Sequence, residues 1–509
     1  MKKRVLSAFL VLTMAASVAA GCGGSSTGSI GGKENDAGST GSSTSQEVVD
    51  LKMCMYSFGT NVNDSDMVVE KINEYIEPLI GAKLEIEWIS VADWNNQINL
   101  KLSAGEQIDL LAVFGNAINS LYTKGGMTEL DDLIEAYGSG ITDVIDSEYL
   151  QAGYINGSLY TIPSIQFWGK NMSFYYRTDI AEKYSLDFSS VETLEDLGPI
   201  FETIHASEPD LYCITANGPT YTLLQDFGWD TLGDDYGVLM NPEESLAVEN
   251  LFESEEYAHM VQIMYDWYQK GYVQVDAATT ADDIPTIFST GKAFGTFGNV
   301  DPTTIANGKT SMGYDMDYVI LSDPLATTST VQSANWCIPA TTVNAQKAME
   351  VLNLLYTDAT LQNLLNYGIE GQHYQITDSE QGIISFLDGQ DFSTTTYYPA
   401  ISALSGNSTI AYIWDTDPVT IREDKINNIN ESRKSKALGF TFDSSSVINE
   451  LTALETVEAK YRKGLESGSL DPSTELPKFI EELKDAGIER VIEVKQAQLD
   501  EWASANGIQ

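Results

Sequence analysis

The chain carries an alternation of strand-like and helix-like hydrophobic patterns from about residue 48 onward. Three runs are apolar or alternate as β-strands do: "LKMCMYSF" (51–58), "KLEIEWISV" (83–91) and "IDLLAVF" (108–114). Two stretches between them carry apolar residues at spacing four before a glycine: Ile72, Ile76 and Ile80 before Gly81, and Trp94, Ile98 and Leu102 before Gly105. The order strand, helix, strand, helix, strand predicts a parallel sheet in an α/β fold.

Two loops of this predicted sheet are candidate ligand loops, because ligands of parallel sheets gather beyond the carboxyl ends of the strands. They are "GTNVND" (59–64) and "GNAIN" (115–119). The last third of the chain reads as helical. The stretch 348–368 predicts two helices, the second capped by Asp358 and ended by Gly368. Further helical patterns cover 446–468 and 475–502, and an irregular region with many aromatic residues lies between, from Gly371 to Phe442.

The first 47 residues have the pattern of an export signal and a tether. A positive start is followed by an apolar run from Val5 to Ala20, too short to span a bilayer. The segment Ala-Ala-Gly-Cys resembles a bacterial lipobox, which predicts a signal peptide over 1–21 and lipidation of Cys22. Residues 22–47 are rich in Gly, Ser and Thr and predict a disordered linker. The alternative is plain secretion with cleavage near Ala20.

Composition narrows the range of partners. The formal charge is −46, the pI is about 4.1, and 43% of the residues are hydrophobic. Such a surface repels nucleic acid and anionic lipid, so a neutral or cationic ligand is expected. After residue 48 no continuous apolar run is long enough to cross a membrane, and the body is long enough for two large domains.

The sequence carries no pattern of a catalytic, metal or cofactor site. Cys54, Cys213 and Cys337 are far apart and odd in number, which predicts buried thiols and not a disulfide framework. The histidines lack metal-ligand spacing, and neither "DTDP" (415–418) nor "YDMDY" (314–318) supplies the ligands of a calcium loop. We therefore expect no cofactor and no metal. Paired carboxylates of a glycoside hydrolase remain an alternative that 74 acidic residues neither support nor exclude.

The aromatic residues point to a ligand class. Eight tryptophans and 26 tyrosines are present, and four tryptophans stand in polar, loop-like contexts: Trp168, Trp229, Trp336 and Trp414. A sugar ring offers C–H groups on its faces and hydroxyls around its rim, which aromatic rings and polar side chains complement. The alternative for each ring is ordinary packing.

Several segments, taken in their order, resemble a known family. They are "LSAGEQIDLLAVFGN" (102–116), "GYINGSLYTIPS" (153–164), "FYYRTDIAEKY" (174–184) and "IFSTGKAFGTFGNVD" (287–301). Together with the lipobox they are similar to an extracellular solute-binding protein of a bacterial ABC importer, of the carbohydrate type. The segment "NWCIPATTVNAQKAMEVLNLLYTD" (335–358), with "NYGIEGQHY" (366–374) and the stretch from Gly439 to Trp502, resembles a Gram-positive lipoprotein subgroup with a C-terminal domain of unknown function.

The resemblance implies a two-lobe clamp with a ligand cleft between the lobes and a helical C-terminal region. It places lobe one at 48–161 and 312–357, and lobe two at 163–310 and 358–509. The chain would cross between the lobes near Ile162, Thr310 and Asp358. Closure about a hinge would sequester the ligand.

The resemblance also implies ligand contacts. From the first lobe we expect Asn61, Asn116 and Trp336. Trp168, Tyr175 and Arg177 are expected from the second lobe, with Arg177 equally open to a salt bridge. The remaining candidates come from cleft loops and the irregular region: Tyr221, Trp229, Asn299, His373 and Trp414.

The function implied is that of a lipid-anchored, monomeric substrate-binding component of an ABC importer, outside the cytoplasmic membrane. Its partners would be the permease subunits and a neutral solute, with an oligosaccharide as the expected ligand. The alternatives are a secreted glycoside-active enzyme, a sensor or adhesin, and a binding protein for peptides.

Overall fold

The computed structural model of the protein describes residues 48–58, 60–216, 224 and 227–508. The predicted signal peptide, the linker, Cys22 and Tyr221 lie outside the described residues, as does the side chain of Asn116. The described part alternates strands and helices, and short 3₁₀ turns join some of them.

The strands are β1 Val49–Ser57, β2 Ala82–Ser90, β3 Leu110–Val113, β4 Tyr154–Ile155, β5 Ser158–Leu159, β6 Ile162–Pro163, β7 Lys170–Arg177, β8 Tyr212–Ile214, β9 Ala293–Gly298, β10 Met316–Ala326, β11 Asn335–Cys337, β12 Gln375–Asp378, β13 Ile383–Ser385, β14 Ile413–Trp414 and β15 Arg433–Lys434. The helices are α1 Ser65–Ile80, α2 Trp94–Ala104, α3 Gly115–Thr123, α4 Asp131–Tyr137, α5 Ser139–Val144, α6 Ser147–Leu150, α7 Thr178–Tyr184, α8 Gly198–Ser207, α9 Glu255–Gln269, α10 Ile284–Ser289, α11 Pro302–Ala306, α12 Gly308–Met312, α13 Thr328–Val331, α14 Ala345–Thr357, α15 Ala359–Tyr367, α16 Ile421–Glu431, α17 Ile448–Glu466, α18 Pro472–Ala486 and α19 Ile488–Asn506.

The first sheet has the order β2-β1-β3-β11-β6. Strand β1 runs parallel to both β2 and β3, which confirms the predicted parallel sheet. All four residues of β3 are buried, as expected for a central strand covered on both faces. Strand β11 then pairs antiparallel with β3 and β6.

The second sheet has the order β15-β10-β7-β9-β8. Its centre is β7, which pairs antiparallel with both β10 and β9. The predicted pattern "FYYRTDIAEKY" accordingly becomes a buried strand followed by the helix α7.

Each sheet has its own hydrophobic core. The first core surrounds β1, β3 and α14, and the second surrounds β7, β9, α9 and the helices α17–α19. The chain passes from the first sheet to the second between Pro163 and Lys170, and it returns between Ala326 and Asn335. It reaches the second sheet again at β15.

The packing differs from the predicted lobe limits at two places. Strand β10 follows Thr310 but pairs with β7, because its long register with Met316 opposite Arg177 belongs to the second sheet. Leu361, Leu365 and Leu404 follow Asp358 but fill the first core. We therefore propose that lobe one comprises 48–163 and 335–404, and lobe two 170–326 and 433–508.

Local predictions in the helical parts are confirmed. Asp358 Oδ1 accepts a hydrogen bond from the amide of Leu361 at 2.9 Å and caps α15, which ends at Gly368 with a φ of +78°. Cys54, Cys213 and Cys337 are free and buried, as predicted, and burial raises the pKa of each thiol to about 12. Within the described ranges, no helix has both the length and the hydropathy that crossing a membrane requires.

Candidate functional site

A cavity of about 320 Å³ lies between the two lobes. One side is formed by Thr303, Asn307 and Thr310 of α11 and α12, which pack on the second sheet through Ile305 and Met312. The opposite side is formed by residues from Asn366, at the end of α15, to Lys425 in α16, a stretch that contains the small sheet of β12, β13 and β14. A ligand in this cavity would contact both lobes at once.

Aromatic rings make up the wall on this second side. Parallel pairing of β13 with β14 sets Ile384 opposite Trp414 and brings Phe386 beside the indole. The rings of Phe386 and Trp414 stack with centroids 4.2 Å apart, while Tyr367 and Tyr398 approach Trp414 edge-on at 5.4 and 5.9 Å. Phe392 continues the wall and is 53% exposed. This wall offers apolar faces of the kind that sugar rings or peptide side chains pack against.

Three charged side chains line the same cavity: Asp417, Arg422 and Lys425. Arg422 is held by the carbonyls of Ala411, Gln381 and Gly382, so its guanidinium fixes the fold of the loop. Lys425 Nζ donates to Ser408 Oγ at 2.9 Å.

Burial shapes the ionisation of two of these groups. It raises the pKa of Asp417, and the neighbouring amide of Asn307 from lobe two opposes that rise. Burial also lowers the pKa of Lys425, against the attraction of Asp301 and Asp417. The cavity therefore holds an acidic and a basic side chain that are each half-buried.

The loop 60–64, one of the two predicted ligand loops, supports the aromatic wall from behind. The carbonyl of Asn61 accepts from the amide of Tyr398 at 2.6 Å, and the Asn61 side chain donates to the carbonyl of Thr395 at 2.6 Å. His373 is buried: its Nδ1 accepts from the amide of Ile369, so its Nε2 donates to Asp64 at 3.2 Å. Hydrogen bonds from Thr396 and His373 lower the pKa of Asp64. Asn61 and His373 thus position the wall and do not line the cavity.

Of the predicted ligand residues whose side chains the structure describes, Trp414 is the one that lies among the lining side chains. Trp168 lies in the first core, where its Nε1 donates to the carbonyl of Ser164. Trp336 is fully buried at the centre of the first sheet, and Tyr175 is buried beneath the second sheet. Tyr175 and Trp336 belong to strands that are buried almost throughout, and Trp168 lies in the segment between β6 and β7.

Arg177 and Asn299 also make hydrogen bonds within the fold and do not line the cavity. Arg177 bonds Asp179 through two nitrogens, at 2.7 and 3.0 Å, and lies over the ring of Tyr314. This is the salt bridge that was the alternative for Arg177, and the hydrogen bonds and charge of the guanidinium lower the pKa of Asp179. Asn299 Oδ1 accepts from the amide of Asn171 at 3.0 Å.

Trp229 lines a separate, smaller cavity of about 70 Å³ with Lys170 and Thr327. Asn116 belongs to the first turn of α3 at the carboxyl end of β3.

Most cavity residues were not predicted individually: Tyr367, Phe386, Phe392, Tyr398, Tyr412, Arg422 and Lys425. The sequence indicated only the region in which they lie, because all of them except Tyr367 belong to the aromatic-rich stretch 371–442. Among the residues that the structure describes, no group of three or more His, Cys, Asp or Glu side chains is arranged to hold a metal ion.

Comparison with known proteins identifies the family. The profile described as "Bacterial extracellular solute-binding protein" matches residues 72–369, more than half of the chain. The chain belongs to this family. A second profile, a domain of unknown function (DUF3502), matches residues 436–504, so the predicted C-terminal domain of unknown function is also confirmed.

Individual relatives cover nearly the whole length. A carbohydrate ABC transporter substrate-binding protein of Streptococcus pneumoniae serotype 4 is 26% identical over 451 residues, which are 88% of this chain and 90% of the relative. The crystal structure of the N-glycan transport solute binding protein NgtS from Streptococcus pneumoniae has a TM-score of 0.77 at 24% identity, covering 90% and 99% of the two chains.

A more distant structure shares the fold. The HMO-binding, ABC-transporter-associated solute binding protein of Bifidobacterium longum infantis has a TM-score of 0.65 at 14% identity, covering 89% of this chain and 99% of that one. These solute-binding neighbours, together with the two sheets and two cores, confirm the two-lobe α/β clamp with its helical C-terminal region.

Proposed function

We propose that this protein is the lipid-anchored substrate-binding component of an ABC importer and that it captures a neutral oligosaccharide between its lobes. The observation that carries the proposal is the cavity bounded by both lobes and walled by Trp414, Tyr398 and Phe392. A ligand that touches both sides favours the closed arrangement through contacts the open one lacks.

The oligosaccharide assignment is supported by chemistry and by relatives. Aromatic faces together with a hydrogen-bond donor and an acceptor suit a polyhydroxylated ring. The similar streptococcal protein is described as a carbohydrate transporter component, and structures of NgtS contain Man1GlcNAc and Man5GlcNAc. The permease partner follows from the same importer role.

A binding role is favoured over hydrolysis by the carboxylates present. Among the described residues that line the cavity, Asp417 is the single carboxylic acid, whereas most glycosidases use a pair. Prolonged incubation with a bound oligosaccharide is expected to return it intact in chromatography. Shorter products would establish the enzyme alternative.

The deciding measurement is calorimetric titration of the body 48–509 with a fixed panel: mannosyl-N-acetylglucosamine, longer mannose oligosaccharides on N-acetylglucosamine, galacto-oligosaccharides, uronic acid oligomers and tripeptides. At least one neutral oligosaccharide is expected to bind, with a change in tryptophan fluorescence. Binding of the tripeptides alone would establish the peptide alternative.

The Trp414→Ala variant tests whether this cavity is the site. Loss of the indole surface is expected to weaken the bound oligosaccharide about 10- to 100-fold, because a buried side chain of this size contributes about 1.5–3 kcal/mol. The matched control is Trp502→Ala on α19, where the ring contacts Phe440 and not the cavity. Equal affinity of Trp414→Ala and wild type would move the site elsewhere.

We also propose that Cys22 carries the lipid. Expression of the full chain in a Gram-positive host with radioactive palmitate should label the wild type in the membrane fraction. The Cys22→Ser variant should lose at least about nine-tenths of the label, since the thiol is the acceptor. Labelling of Cys22→Ser at the wild-type level would contradict the anchor.

A further inference from the structure

The Lys425 ammonium in the cavity has fewer hydrogen-bond acceptors around it than it has N–H groups. Lys425 Nζ donates to Ser408 Oγ, whose own hydrogen is used on the carbonyl of Ile165 at 3.2 Å. Within the described part of the chain, no other acceptor lies within hydrogen-bond reach of this ammonium and no carboxylate lies within 4.0 Å of it. Two of its three N–H groups are therefore left for a partner in the cavity.

Asp417 lines the same cavity as Lys425 and attracts it electrostatically, although the two groups are more than 4.0 Å apart. A direct ion pair is thus not formed. In general, a single oxygen that accepts from an ammonium and donates to a carboxylate joins groups about 5 Å apart, because each hydrogen bond is about 2.7–2.9 Å long.

We propose that Lys425 and Asp417 together recognise one hydroxyl of a sugar ring that lies against the aromatic wall. The hydroxyl accepts from Lys425 Nζ and donates to an Asp417 oxygen. This inference rests on the proposed oligosaccharide function and adds the two residues that determine specificity at the site.

The pairing of a donor with an acceptor discriminates between ligand classes. A hydroxyl both accepts and donates, so it satisfies Lys425 and Asp417 together. A ligand carboxylate satisfies Lys425 but meets Asp417 with a like charge. A peptide carbonyl accepts only and leaves Asp417 without a donor.

The pair also links recognition to both lobes. Asp417 neighbours Asn307 at the junction of α11 and α12, and Asp301 at the start of α11 attracts Lys425. Ser408 rests on Ile165 in the segment where the chain first crosses between the sheets. A hydroxyl held by the pair is therefore bound from one side of the cavity, next to residues of the opposite side.

The test is a coupling cycle with the tightest-binding neutral oligosaccharide of the panel and its set of monodeoxy analogues. Lys425→Met is expected to weaken the parent sugar about 10- to 100-fold, since a hydrogen bond to a charged group is lost. The wild type should bind one monodeoxy analogue about 10- to 100-fold more weakly than the parent sugar. For that analogue, the affinity of Lys425→Met should be less than about threefold lower than the affinity of the wild type, because the hydroxyl that Lys425 contacts is already absent. Asp417→Asn should show the same dependence on the same analogue.

The control is Lys309→Met, which removes the same charge near the cavity at a side chain that is 70% exposed and paired with Asp315. It should bind the parent sugar as the wild type does. Melting temperatures of all variants verify folding, and Lys425→Gln replaces Lys425→Met if the latter is unfolded.

The outcomes separate two failures. If no neutral oligosaccharide binds the wild type, the proposed function fails and this inference fails with it. If the sugar binds but its loss in Lys425→Met is the same for every analogue, or absent, only the hydroxyl pair is overturned. Preferential binding of a uronic acid oligomer that Lys425→Met abolishes would also overturn it, because a carboxylate would then occupy the place of the hydroxyl.

Discussion

The region around α16 and the region around α19 each remove a lysine ammonium from water, and they treat it differently. Lys495 on α19 donates to Asp234 Oδ1 at 2.8 Å and to the carbonyl of Gly237 at 2.9 Å, with the carbonyl of Thr231 at 3.4 Å. Lys425 on α16 donates to Ser408. Burial lowers the pKa of both lysines.

The difference separates a structural charge from one available to a ligand. In the helical region the acceptors come from the protein itself, so the charge fastens the loop 230–237 to α19. Around α16 the described residues supply one acceptor to Lys425, Ser408 Oγ, and the ammonium lines a cavity. Burial alone therefore does not identify a binding group, while burial with unused donors beside a cavity does.

The largest expected effect is on stability in the helical region. Lys495→Met leaves Asp234 without its cation and should lower the free energy of unfolding by about 3–5 kcal/mol. Lys425→Met, the matched variant, should change it by less than about 1 kcal/mol, because it removes one hydrogen bond and a desolvated charge together. Urea unfolding followed by circular dichroism measures both. Equal losses for the two variants would erase the distinction between the regions.

A smaller effect concerns Asp417 and pH. Its folded-state pKa lies above the ordinary 3.8, so the folded protein binds more protons than the unfolded chain between these values. Stability contributed by this group therefore increases as pH falls through the folded pKa toward 3.8, with a slope of at most about 1.4 kcal/mol per pH unit.

The difference in unfolding free energy between wild type and Asp417→Asn isolates this contribution, because other carboxyl groups cancel. As the pH is lowered from the folded-state pKa of Asp417 toward 3.8, the unfolding free energy of the wild type should rise relative to that of Asp417→Asn. A difference that is constant from neutral pH to pH 3.8 would mean that Asp417 is well hydrated.

Local sequence patterns predicted the structural features that depend on residues close together in the chain. The strands β1, β2 and β3, the stop at Gly81 and the cap at Asp358 follow from periodicity and capping chemistry within a few residues. The assignment of β10 to the second sheet does not, because it depends on pairing with β7 far away in the sequence.

The site was less accessible to sequence reasoning than the fold. Trp414 was selected as a tryptophan in a polar context, but the same criterion also selected Trp168, Trp229 and Trp336, which do not line this cavity. Lys425 stands in a helix with many polar residues, and nothing in its neighbourhood distinguishes it from a solvated lysine. Only the folded arrangement shows that its ammonium meets Ser408 and an aromatic cavity.

The interleaving of the two cores has a consequence for biosynthesis. Met172 and Leu499 belong to the same core, and the stretch 335–404, which completes the other one, is made between them. A ribosome therefore finishes the first lobe while the second still lacks α17, α18 and α19. Until those three helices are made, the apolar side chains of the second core that they cover lack part of their packing.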